Sequence, residues 1–120
     1  MRVNYAIVFV SDMRRSVSFY RDTIGLPLSF ESSEWTEFAT EGATLALHLA
    51  ESSTPMSADD GPRAGSCRPG LRVQSLVEFH RRMIEHNVRC LQEPRDVFGS
   101  RVAQYADPDG LTLSVGESRA

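Results

Sequence analysis

The sequence predicts an α+β fold of tandem βαβββ modules, forming a cupped, mostly antiparallel sheet with helices on its outer face. Three observations predict it. Val3 to Val10 is rich in β-branched and aromatic residues and turns at Asp12 into Met13, Val17, Tyr20 and Ile24, so the hydrophobic period changes from two to about 3.6 at a capping residue. A weaker copy begins near Arg68: sliding the chain by ~63 residues lays Val10 on Val73, Asp12 on Ser75 and Met13 on Leu76. Each helix is then followed by three strand-like runs.

In chain order, the first helix has Asp12 as N-cap and stops at Gly25, with Pro27 just beyond. Its other face carries Arg14, Arg15, Ser18 and Arg21 and is solvated. Leu28 to Ser32, Glu34 to Thr40 and Ala43 to Glu51 are the three strands that follow. Residues 52–67 are dense in Ser, Pro, Gly and Asp and read as a linker, with a lid over a pocket as the alternative. A strand from about Arg68 to Val73 leads into Ser75-Leu76-Val77-Glu78, a capping box, and helix two is expected to turn Leu76, Phe79 and Met83 inward, with Ile84 as a further candidate, before Asn87 ends it. His80 and His86 on that helix are expected in solvent. Val88 to Glu93, Arg101 to Ala106 and Leu111 to Val115 complete the chain, the last two joined by the tight turn Asp107-Pro108-Asp109-Gly110. Module one thus spans 1–51 and module two 68–117, within a single domain.

A chain of 120 residues is long enough to bury one core and short for two independent ones. The formal charge of -3 leaves no basic stripe, which argues against nucleic acid. The chain has no lysine, for which a genome-wide coding bias is the expected cause and selection for bidentate carboxylate or phosphate recognition the alternative. The apolar run at the start is too short for a signal-peptide core or a membrane span, so a cytoplasmic protein without membrane attachment is expected. Cys67 and Cys90 are too few for a disulfide scaffold and are expected as thiols.

Val10-Ser11-Asp12-Met13, the helix ending Phe19-Tyr20-Arg21-Asp22, Ile24-Gly25-Leu26, and Asp107-Pro108-Asp109-Gly110 before a final strand together resemble the vicinal oxygen chelate superfamily. This group includes glyoxalase I, bleomycin resistance proteins, fosfomycin resistance enzymes and extradiol dioxygenases. The resemblance implies paired βαβββ modules around a pocket and usually two chains per assembly, here a homodimer. It also implies, in the metal-dependent members, ligands at four strand positions. These fall on Tyr5, on His48 or one pleat earlier on Ala46, on Arg68, and on Ser114. A catalytic divalent site needs about three ligands from His, Glu, Asp or Cys, and of this set only His48 is a good one. No cofactor is therefore expected, a divalent metal held by His48 being the alternative.

Strand parity puts Tyr5, Ile7 and Phe9 on the pocket face, with Ala46, His48 and Ala50 beside them and Gly70, Arg72, Thr112 and Ser114 from the second module. Tyr5, Phe9 and Trp35 suit a planar ligand and Arg68 an anionic group; filling the cup or a dimer seam is the other use for the aromatic residues. The expected function is metal-free binding of a small molecule, like the resistance proteins that sequester an aromatic antibiotic. The expected contacts are Tyr5, Ile7, Phe9, Trp35, Ala46, His48, Arg68, Arg72 and Ser114. The alternatives are a metal-dependent lyase, isomerase or thiol transferase of the glyoxalase type, and metal-free acid-base catalysis by Tyr5 and His48.

Overall fold

The computed structural model describes residues 1–51 and 64–117. The chain divides into two compact units, with the division falling inside 52–63. The expected linker therefore lies mostly outside the described residues.

In the first unit β1 (Tyr5–Val10) leads through Ser11 and Asp12 into α1 (Met13–Ser18), and β2 (Leu28–Glu31), β3 (Trp35–Phe38) and β4 (Thr44–Leu49) follow. The strands form one sheet in the order β1-β4-β3-β2. β1 runs parallel to β4, while β4-β3 and β3-β2 are antiparallel. The second unit repeats this as β5 (Gly70–Val73), α2 (Leu76–Glu85), β6 (Cys90–Val97), β7 (Ser100–Ala106) and β8 (Thr112–Glu117), in the order β5-β8-β7-β6. The twice-repeated βαβββ order expected from the sequence is what forms, with most pairings antiparallel.

Each helix starts where its cap dictates. Asp12 accepts the Arg15 N–H at 3.0 Å, and Ser75 accepts that of Glu78 at 3.2 Å. The reciprocal half of the expected capping box is replaced. The Glu78 carboxylate pairs with Arg81, and the free N–H of Leu76 is taken by Glu117 Oε1 from the last strand at 3.1 Å. Gly25 and Asn87 end the helical segments at φ 96° and 58°, the left-handed geometry that lets the chain turn away.

The first helix differs from the regular one expected. After Ser18 it widens into π-type turns over Phe19–Ile24, and the Gly25 and Leu26 N–H groups both reach back to the Tyr20 carbonyl. The wider turn accommodates the adjacent rings of Phe19 and Tyr20, which stand edge to face with centroids 5.1 Å apart. Tyr20 still enters the core, fully buried against Phe38.

One face of each sheet is thereby closed. Val8, Val10, Leu45, Leu47, Thr36 and Phe38 are buried on the α1 side of the first sheet, where the Thr36 hydroxyl reaches the Met13 sulfur at 3.3 Å. In the second, Leu76, Phe79 and Met83 of α2 bury with Ala103, Tyr105, Leu113 and Val115, while Ile84, a candidate for the same face, lies just past the buried stripe and is exposed. Each large apolar side chain so covered contributes roughly 1.5–3 kcal/mol. His80 departs from the expected solvated position: it is half-buried, and its Nδ1 lies 2.9 Å from the Tyr105 hydroxyl, because the buried phenol needs a polar partner. Burial pushes the Tyr105 phenol well above its ordinary range. His86 is exposed, as expected.

Candidate functional site

The opposite face of the first sheet is left open, and alternation decides what it carries. Val8 and Val10 point to the helix, so Tyr5, Ile7 and Phe9 point away, 48%, 48% and 63% exposed. The parallel register sets Tyr5 opposite Thr44, Ile7 opposite Ala46 and Phe9 opposite His48. The next pairing sets His48 opposite Trp35 and Ala46 opposite Glu37. β3 is an interior strand of the sheet, so Trp35 does not stand on an edge strand.

These positions put four rings in contact. Tyr5 meets Trp35 edge to face at 6.1 Å, Trp35 meets His48 at 5.9 Å, and His48 meets Phe9 at 5.5 Å. The strand between Tyr5 and Trp35 carries Ala46, fully buried, and its small side chain leaves room for the indole to reach across. The indole is also tethered: its N–H donates to Glu37 Oε2 at 2.9 Å. His48 Nδ1 lies 2.7 Å from the Leu49 carbonyl. A carbonyl only accepts, so Nδ1 carries the proton in the neutral ring and Nε2 is left as the acceptor.

Two members of this face escape sequence reasoning. Strict alternation would put Leu28 and Phe30 on the same side, but the β2-β3 register slips between them, so Leu28 pairs with Phe38 and Phe30 with Glu37. The extra residue is a β-bulge, and it turns Phe30, 53% exposed, onto the aromatic face. Glu37 was hidden for a different reason: a carboxylate in a β-rich run reads as solvated until its partner Trp35 is known.

The remaining expected site residues lie in the second unit. Ser114 and Arg72 stand on the open side of that sheet, opposite Gly70 and Gly116 respectively. Arg68 precedes β5 and is half-buried. Thr112 pairs with Ala106 on the same open side.

The donor set does not fit the divalent ion that the resemblance implies. Tyr5 and His48 sit four residues apart on adjacent parallel strands, about 13 Å at the rise of a strand, and the Trp35 ring lies between them. On β4 the residue opposite Ile7 is Ala46, whose methyl has no lone pair, and the one opposite Tyr5 is Thr44, whose neutral hydroxyl is not among the usual ligands of a catalytic divalent ion. Among the described residues no three His, Cys, Asp or Glu side chains gather as a metal site would require. What the face offers instead is ring surface, with the Glu37 carboxylate and the His48 Nε2 among the rings.

A chain of two βαβββ units, each a four-stranded sheet with one helix-covered and one open face, defines the class. Residues 2–115 match the profile of the Glyoxalase/Bleomycin resistance protein/Dioxygenase superfamily, and the chain belongs to that superfamily. It is similar to the uncharacterized protein YraH of Bacillus subtilis (strain 168), 27% identical over 90% of this chain and 91% of that one. Among solved structures it is similar to a protein of unknown function from Agrobacterium tumefaciens str. C58, with a TM-score of 0.79 and 28% identity over 99% of this chain and 95% of that one. A lactoylglutathione lyase from Agrobacterium tumefaciens shares the fold at a TM-score of 0.75, with 20% identity over 97% and 92% of the two chains. No described helix is long and apolar enough to cross a membrane.

Proposed function

We propose that the chain binds a planar, aromatic small molecule on the open face of its first sheet, without a metal, and holds it rather than converting it. The supporting observation is the run of ring contacts from Tyr5 through Trp35 and His48 to Phe9, on a face the chain itself leaves exposed. Rings already packed edge to face lose little freedom when a flat ligand lies against them, so little of the binding energy is spent on ordering the site. Ile7 and Phe30 extend the apolar floor, and Glu37 at its centre favours a ligand bearing a donor or a positive charge over that spot. Sequestration of an aromatic antibiotic is the biological use this supports best. The protein would act as a homodimer, which covers the edge strands β1 and β2.

The test is quenching of the single tryptophan by a panel of aromatic antibiotics and planar metabolites, with Tyr5→Leu and Phe9→Leu as comparison variants. Saturable quenching weakened by both substitutions supports the proposal. No response at high micromolar ligand sinks it.

One observation favours a second reading. The Leu49 carbonyl fixes the His48 proton on Nδ1 and leaves Nε2 available as base or ligand, and a lactoylglutathione lyase shares the fold. A glyoxalase-type lyase, isomerase or thiol transferase would need further ligands from outside the described residues or from a partner chain. A thermal shift with Ni, Co, Mn, Fe(II) or Zn that His48→Ala removes would favour this reading over sequestration.

A further inference from the structure

The open face of the second sheet has a different chemistry, and its register makes that chemistry specific. Reading across β5, β8, β7 and β6, one row is Arg72, Gly116, Val102 and Arg95. The adjacent row is Gly70, Ser114, Gln104 and Gln92. Two arginines therefore stand at the ends of one row, three strand spacings or about 14 Å apart. Between them lie Gly116 and the apolar Val102, so the floor is low at the two glycines and polar only in the adjacent row of Ser114, Gln104 and Gln92. A Cβ added at Gly70 would meet nothing within 4 Å, and one at Gly116 would find only Val102 Cγ1 at 3.8 Å and the Arg101 carbonyl at 3.9 Å.

Arg95 reaches this face only through a bulge. From Gln92, simple alternation would send Arg95 to the helix side. The β6-β7 register slips between Gln92 and Arg95, with one residue more on β6 than on β7, so that Arg95 pairs with Val102 on the open side. Pro94 sits in that irregular stretch of an edge strand, where a missing N–H costs no ladder bond. Asp96 and Arg101 are register partners one step further along the strands, and Glu117 takes the Leu76 N–H. Glu93 lies within the bulge and is exposed. Neither Arg72 nor Arg95 forms an ion pair among the described residues, and both are exposed.

We infer that this face is a binding site for a small, doubly charged oxyanion, held over Gly116 by the guanidinium groups of Arg72 and Arg95. Ser114, Gln104 and Gln92 supply neutral hydrogen bonds to its remaining oxygens. Arginine suits the task because its planar fork donates two parallel bonds to a carboxylate or phosphate; Gly116 leaves room for Arg72 to fold inward, and the long Arg95 side chain would have to reach over Val102. Every residue named for this site belongs to the second sheet.

An amide chemical-shift titration of the intact chain with inorganic phosphate in one arm and succinate in the other tests this and separates phosphate from dicarboxylate recognition. Saturable shifts at Gly70, Ser114 and Gly116 in either arm are expected, weakening as salt rises. Arg72→Gln and Arg95→Gln should each weaken binding about tenfold, and Arg14→Gln, on the first helix, should not. Lysine at both positions keeps the charge and the fold but loses the fork, so it should bind clearly less well than the native pair. Trp35 quenching by aromatic ligands should survive all of these changes, which keeps a failure here distinct from a failure of the aromatic site. Non-saturating shifts in both arms, or shifts unaffected by the two glutamine substitutions, would overturn the inference.

Discussion

Replacing Tyr5 and Trp35 by leucine, singly and together, measures whether the aromatic face is built before a ligand arrives. The two rings meet edge to face at 6.1 Å. Such pairs contribute about 0.5–1.5 kcal/mol beyond the area they bury. Tyr5 is 48% exposed, so the coupling should fall in the lower half of that range, about 0.5–1 kcal/mol. Trp35→Leu alone also loses the indole bond to Glu37 and the contact with His48. Both losses occur with Tyr5 present or absent and cancel in the cycle. Urea unfolding of the four proteins gives the coupling directly. Leucine keeps the strand pattern, so a change in unfolding slope is not expected. Additivity within about 0.3 kcal/mol would mean that the rings do not support one another in solution, and a preorganised aromatic face would have to be abandoned.

Three further outcomes follow from single residues. Phe98 is 99% exposed and holds φ at 50°, a left-handed conformation costing a non-glycine residue about 1–2 kcal/mol, so Phe98→Asn should raise stability by about 1 kcal/mol in chemical denaturation. Ser16 is fully buried and its hydroxyl has no hydrogen-bond partner among the described residues, so Ser16→Ala should stabilise by roughly 1 kcal/mol, where a loss would reveal a hidden partner. Burial pushes the half-buried Cys90 thiol above its ordinary range whereas Cys67 is exposed, so graded alkylation at mildly alkaline pH followed by peptide mass analysis should label Cys67 first. Equal rates at the two cysteines would show that β6 opens readily.

The parts of this fold that were legible in the sequence are those where one residue type has one local job. Asp12 and Ser75 as caps, Gly25 and Asn87 as left-handed stops, and Asp107 are of this kind. The buried Asp107 carboxylate accepts the N–H groups of Asp109 and Leu111, each at 2.9 Å, and so closes the turn before β8. The alternation of β1 was legible too, because Val8 and Val10 bury strictly while their neighbours do not. Illegible were the places where the chain adds a residue to a regular period. The wide turns after Ser18 and the bulges in β2 and β6 shift everything beyond them to another face, and nothing in a hydrophobic pattern marks where the shift occurs. The hairpin at Phe98-Gly99 was missed for a related reason. Left-handed geometry at its first turn residue calls for Asn, Asp or Gly, and phenylalanine gives no such signal. His80 looked solvated because its partner, the Tyr105 hydroxyl, arrives from a strand 25 residues away.

The most direct measurement of the central claim is a Trp35 fluorescence titration with planar aromatic ligands on protein stripped with EDTA. The account predicts saturable quenching by at least one cationic or donor-bearing member of the panel, unchanged when Ni, Co, Mn, Fe(II) or Zn is restored. A response that appears only after metal is added, and disappears in His48→Ala, would contradict it and make the imidazole a ligand in a metal-dependent enzyme.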